Sequence, residues 1–194
     1  MSSVEAGPPA TATEATTLHT PEFSSQLATV CLAGAPNAGK TALMNALTGG
    51  SFHTANYPGV TVERHSGRLT LGDGRPVELV DLPGAYSLEP ASPDEEVTRD
   101  VLLGKQKGER QPDALVIVVD ASNLDNHLRF CLQLIELGHP TIVALNMVDL
   151  AARDGLLLSP QIVSQELGVP VVETVAVRKR GIAELHEAVD NMLS

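Results

Sequence analysis

The sequence predicts an α/β domain with a six-stranded, mostly parallel sheet, one antiparallel strand and helices on both faces. Three observations carry this expectation. From residue 27 onward, short apolar runs of β type alternate with stretches of helical periodicity. Two of those runs, 114–119 and 141–146, are apolar almost throughout, as in strands buried on both faces. A glycine-rich turn at 72–74 separates two strand-like segments by only a few residues, which marks a hairpin and hence the antiparallel strand.

The elements follow in order. Residues 1–24 are Ala, Thr, Ser, Pro and Glu with few large apolar side chains, too little to offset their ordering entropy, so a disordered tail is expected before a domain spanning 25–194. Residues 26–32 read as a strand that feeds a glycine-rich loop. A helix over 41–48 ends at Gly49 and Gly50. Strands follow at 61–71 and 76–80, then a helix over 93–103 capped by Ser92, with Asp94, Glu95 and Glu96 in its first turn. After the strand at 114–119 comes an amphipathic helix, 124–137, stopped by Gly138. The strand 141–146, a helix near 160–167, a strand at 169–174 and a helix over 182–192 complete the chain.

Composition narrows the function. With 194 residues and 43% hydrophobic content the chain can build one domain-sized core, and at 3% aromatics that core rests on Val, Leu, Ile and Ala. A formal net charge of -11 disfavours nucleic acid and anionic membrane surfaces as partners. The basic run Arg178, Lys179, Arg180 reads as a solvated loop. Cys31 and Cys131 sit in apolar runs without metal-like spacing, so buried free thiols and a reducing cytosol are expected. The six histidines (19, 53, 65, 127, 139, 186) show no ligand spacing and are expected on the surface or in loops. No apolar run approaches the ~20 residues of a membrane span, and no signal peptide is visible, so the chain as given reads as soluble.

Five stretches carry chemistry, and all fall in loops that right-handed crossovers gather at one edge of the sheet. The first is G-x-x-x-x-G-K-T, formed by Gly34, Ala35, Pro36, Asn37, Ala38, Gly39, Lys40 and Thr41, between a strand and a helix. Backbone N–H groups of this loop, continuing into Ala42, cradle phosphates at a helix N-terminus; Lys40 reaches the β- and γ-phosphates and the Thr41 hydroxyl binds magnesium. The second is Asp81-Leu82-Pro83-Gly84: the carboxylate suits magnesium and the Gly84 amide a γ-phosphate. The third, Asn146-Met147-Val148-Asp149, is similar to the guanine-reading N-K-x-D motif. Asp149 would accept hydrogen bonds from guanine N1 and N2, which adenine cannot offer; Asn146 would brace the phosphate loop, and Met147 would cover the base in place of Lys. The fourth is Thr61 within Tyr57-Pro58-Gly59-Val60-Thr61, placed as a switch that closes over magnesium and the γ-phosphate. The fifth is Val175-Ala176-Val177, which keeps the Ala whose amide meets guanine O6 but lacks the Ser usual before it; weaker base contacts and faster nucleotide release are expected.

Together these stretches resemble the cytosolic G domain of the FeoB family of bacterial ferrous iron transporters, over residues 27–193. The resemblance rests on G-x-P-N-x-G-K-T, on the run from Asn56 to Glu63, on D-L-P-G-A-Y-S-L and on N-M-x-D; Tyr57 stands where the family usually has Trp. It implies a Ras-like P-loop GTPase fold and Mg2+-dependent, K+-stimulated GTP hydrolysis. It also implies a cytoplasmic position at the inner face of the bacterial inner membrane, and as partners a helical domain and a transmembrane Fe2+ permease domain, neither of which this sequence contains. Weak homo-oligomerisation is compatible with it, and no nucleic acid is expected. Ras-type proteins orient the attacking water with a Gln where this chain has Ala85. The family resemblance instead assigns part of the charge neutralisation to K+ held by Asn37, so the catalytic set it implies is Asn37, Lys40, Thr61 and Gly84. Competing readings are a ribosome-assembly or tRNA-modifying potassium-dependent GTPase, a switch that binds GTP without turnover, and an ATPase with a chance N-M-V-D.

Overall fold

A computed structural model of the chain describes residues 27–194; the tail expected at 1–24 lies outside them. The strands are β1 (Ala28–Gly34), β2 (Phe52–Asn56), β3 (Glu63–Thr70), β4 (Pro76–Asp81), β5 (Ala114–Asp120), β6 (Thr141–Asn146) and β7 (Val171–Glu173). The helices are α1 (Lys40–Thr48), α2 (Pro93–Leu102), α3 (Leu124–Glu136), α4 (Val148–Arg153), α5 (Pro160–Leu167) and α6 (Ile182–Leu193). The strands form one sheet in the order β2-β3-β4-β1-β5-β6-β7.

The β1, β4, β5, β6 and β7 pairings are parallel, whereas β3 is antiparallel to both of its neighbours, β2 and β4. It is therefore the one strand that runs against the rest, as the 72–74 turn predicts; there Leu71 N–H donates to Arg75 O (2.8 Å). The sheet has seven strands rather than six. The added strand, β2, is exposed along its whole length at the sheet edge, so its side chains (Phe, His, Thr, Ala, Asn) need no alternating hydrophobicity and leave no pattern to read.

Side chains alternate across the central strands and divide the core between the two faces. From β1, Cys31 and Ala33 join Leu115, Ile117 and Val119 of β5 beneath Val97 and Val101 of α2 and Phe130 and Leu134 of α3. Val30 and Leu32 point the other way, with Val116 and Val118, beneath Leu43 and Met44 of α1 and Leu185 of α6. Both cysteines are free and buried. The Ser92 side chain caps α2, accepting from Glu95 N–H at 3.2 Å, as the sequence predicts.

Two further differences from expectation have local causes. Helix α4 follows Asn146 after a single residue, Met147, in left-handed conformation (φ 59°); its six residues make fewer than two turns, too short for an apolar repeat to stand out. His127 is buried (5% exposed) rather than on the surface; inside, its Nδ1 accepts the Asp120 N–H (3.3 Å), so the buried ring keeps a hydrogen-bond partner.

Candidate functional site

The carboxyl ends of the parallel strands gather the predicted loops. The turn from β1 into α1 carries Gly34 to Lys40, with Asn37 exposed and left-handed (φ 62°). Gly39 is left-handed as well (φ 97°), and a Cβ there would collide with the Asn146 side-chain amide, so only glycine lets the loop lie this close to β6. Lys40 is 7% exposed and its Nζ donates to Ala35 O (3.1 Å). Burial lowers the Lys40 pKa from the ordinary lysine value, partly opposed by the negative charge of Asp81. This ammonium is held inside the loop and lines the same cleft as Asp81.

Thr41 Oγ1 donates to Asp81 Oδ2 (2.9 Å). The other oxygen, Asp81 Oδ1, is buried without a hydrogen-bond partner, and burial raises the carboxyl above its ordinary value despite Thr41, Lys40 and His65. A hydroxyl beside a desolvated carboxylate oxygen with free lone pairs is a donor set that fits a hard divalent cation. Thr61 faces this pair: Lys40, Thr41, Thr61, Asp81, Gly84 and Asp94 line one cleft of about 450 Å³. Gly84 lies against the loop, where a Cβ would come within 2.8 Å of Pro36 Cα. Thr98 Oγ1 of α2 donates to Pro83 O (2.7 Å), fixing the turn that presents the Gly84 amide.

The predicted base-reading residues form the other half of the site. Asn146, 2% exposed, donates from Nδ2 to Ala38 O (3.0 Å) and accepts at Oδ1 from Thr174 Oγ1 (3.0 Å) and Ala176 N–H (3.1 Å). One side chain thus joins the phosphate loop, β6 and the loop after β7. Nothing in the sequence singles out Thr174 as its partner, because the pairing spans 28 positions. The Ala176 amide, expected to face guanine O6, donates here to Asn146. Asp149 stands half-buried in the first turn of α4, and Val175 and Ala176 are buried while Val177 is 81% exposed. Among the described residues no helix is long and apolar enough to cross a membrane.

This geometry has close counterparts. The family model described as ferrous iron transport protein B matches residues 28–189. The Fe(2+) transporter FeoB of Escherichia coli K12 is 45% identical over 166 residues, covering 84% of this chain and 21% of the relative; the chain thus spans about a fifth of the length of the curated relatives it matches. The G domain of the T. maritima FeoB iron transporter superposes with a TM-score of 0.77 at 39% identity, covering 87% of this chain and 99% of that one. A GDP-bound S. thermophilus NFeoB mutant gives a TM-score of 0.76 at 40% identity, covering 86% of this chain and 63% of that one. The T. maritima cytosolic domain in its GMPPNP form gives 0.78 at 38%, covering 87% and 65%. The family match runs from β1 into α6 and includes every loop that builds the cleft: the chain belongs to the FeoB family of ferrous iron transport proteins and corresponds to its G domain.

Proposed function

We propose that residues 25–194 bind GTP and hydrolyse it to GDP and phosphate, as the regulatory G domain of a FeoB-type Fe2+ transport protein. The observation that carries this is Asn146, whose three hydrogen bonds tie the loop that would hold phosphate to the loops that would hold guanine. The GDP and GMPPNP forms of the S. thermophilus and T. maritima relatives support the same ligand class.

In this reading the amides of Gly34 to Ala42 and the Lys40 ammonium neutralise the phosphate chain, while Asp149 selects guanine, whose N1–H and N2–H2 pair with a single carboxylate. Met147, Val175, Ala176 and Val177 complete the wall around the base. Thr41, Thr61 and Asp81 are the groups that would hold Mg2+, which when bound offsets charge on the β- and γ-phosphates. Asn37, exposed at the loop's rim, would hold K+, which when bound supplies positive charge that no side chain at Ala85 provides. Gly84 directs its amide at the third phosphate, so that group and Thr61 sense whether it is present. The position in the parent protein is the cytoplasmic face of the bacterial inner membrane, next to the helical and Fe2+-permease domains.

Calorimetric titration with GDP and with ADP, followed by single-turnover phosphate release in Mg2+ with K+ or Na+, tests the proposal. GDP binding at least about a hundredfold tighter than ADP is expected from a site built around a base-specific carboxylate. Equal affinities would refute the guanine reading, and phosphate release at the buffer rate would refute hydrolysis.

A further inference from the structure

Between the cleft and the far side of α2 runs a contact chain that the nucleotide reading does not use. Arg64, three residues after Thr61, points away from the cleft and donates from Nε to Glu109 Oε1 (2.6 Å) and from a terminal nitrogen to Glu109 Oε2 (3.2 Å). Its other terminal nitrogen donates to Glu78 Oε1 of β4 (3.0 Å). The Arg64 and Glu109 side chains are only 18% and 11% exposed, so this forked pair is largely shielded from solvent.

Glu109 lies in the segment that follows α2, and that segment is folded tightly onto the helix end. Lys105 and Gln106 N–H both donate to Asp100 O (2.7 and 3.1 Å), and Glu109 N–H donates to Gln106 O (3.2 Å). The same segment touches the 57–62 loop directly. Gly108 has φ 78°, and a Cβ there would stand 2.9 Å from Pro58 Cγ. That loop is itself closed, Tyr57 N–H donating to Val62 O (3.0 Å) and Val60 N–H to Tyr57 O (3.3 Å), with the Tyr57 ring buried beneath it. From the middle of the same helix, Thr98 holds Pro83 beside Gly84.

We infer that the Arg64–Glu109 pair and the Pro58–Gly108 contact form a latch that holds Thr61 over the cleft, making Glu109 a positioning residue for the triphosphate state. The inference rests on the proposal that this site binds guanine nucleotides. Its logic is a population argument. With the latch formed, Thr61 lines the cleft together with Lys40, Thr41, Asp81 and Gly84. A third phosphate and its cation need Thr61 there; a diphosphate does not. Weakening the latch lets the 57–62 loop occupy other positions, and the fraction of molecules competent for the triphosphate falls while the diphosphate site is untouched. Because α2 carries both Thr98, which holds the turn before Gly84, and Asp100, onto which the Glu109 segment folds, the latch also couples the two loops that would meet the third phosphate.

The test uses Glu109→Gln, which keeps the side chain's size and removes its charge, and Gly108→Ala, which pushes on Pro58 from an exposed position. Calorimetric Kd values for GDP and for the non-hydrolysable analogue GMPPNP are measured on the 194-residue chain with Mg2+. Each variant is expected to weaken GMPPNP about fivefold or more, on the scale of one charged hydrogen-bonded pair, and GDP by less than about twofold. A change that merely loosened the fold would shift both ligands alike. In a Thr61→Ala background, Glu109→Gln is expected to add less than about twofold to the loss, because the latch then has nothing to position. Equal shifts for both nucleotides, no shift for either, or full additivity with Thr61→Ala would overturn the inference. Wild-type protein that binds neither nucleotide would overturn the nucleotide reading instead.

Discussion

Replacing Asn146 by Ala removes the side chain that ties three loops together, and the structure sets the size of the effect. Three hydrogen bonds disappear, to Ala38 O, from Thr174 Oγ1 and from the Ala176 amide. Their partners stay behind in a site where Thr174 is fully buried and Ala38 and Ala176 are 0% and 4% exposed. A buried polar group left without a partner costs about 1–3 kcal/mol, and local rearrangement recovers some of that, so a loss of about 3–5 kcal/mol is expected. For a domain of this size it lowers Tm by about 10 °C. Urea unfolding of the nucleotide-free chain measures the loss directly, with an unchanged m-value showing that the same native fold is being compared. Asn146→Asp sharpens the test. It keeps both acceptor contacts at Oδ1 but sets a carboxylate against the Ala38 carbonyl, so at neutral pH it should be no more stable than the alanine variant. A loss below about 1 kcal/mol for Asn146→Ala, or wild-type stability for Asn146→Asp, would refute the claim that this residue welds the two halves of the site.

Three further outcomes are expected. Asp149→Ala should weaken GDP by about a hundredfold or more while leaving Tm almost unchanged, since the residue is half-exposed and its partners belong to the ligand; calorimetry and thermal melting check both. Asn37→Ala should abolish the difference between GTP hydrolysis rates in K+ and Na+ while preserving GDP affinity, as read by phosphate release. His127, which burial lowers from the ordinary imidazole value with Asp120 opposing, is stabilising while neutral, and that contribution is lost as pH falls through its folded-state pKa. Melting curves between pH 7 and pH 5 should therefore fall more steeply for wild type than for His127→Asn, whose Oδ1 can still accept the Asp120 N–H without taking a proton.

Local signals made much of this fold readable. The apolar runs in β5 and β6 announce strands covered on both faces, Ser92 and the acids after it announce α2, and Gly72 and Gly74 announce the hairpin, because each depends on residues close together in the chain. The exposed edge strand β2 and the six-residue α4 left no signal, one having no buried face to pattern and the other fewer than two turns in which an apolar repeat could recur. His127 reads as a surface residue until the fold brings its ring inside, against the Asp120 amide.

Sequence alone determined which chemical groups the loops carry. A G-x-x-x-x-G-K-T turn, D-L-P-G, N-M-V-D and a Thr after P-G are local strings whose spacing follows from strand and loop lengths. It could not determine how those loops hold one another. That Asn146 reaches Ala38, 108 positions away, that Gly39 must lack a side chain to admit it, and that Arg64 finds Glu109 across 45 residues depend on which strands adjoin and how far α2 carries the chain. Directional hydrogen bonds between distant side chains leave no periodicity in a sequence, and tertiary packing alone decides which of them form.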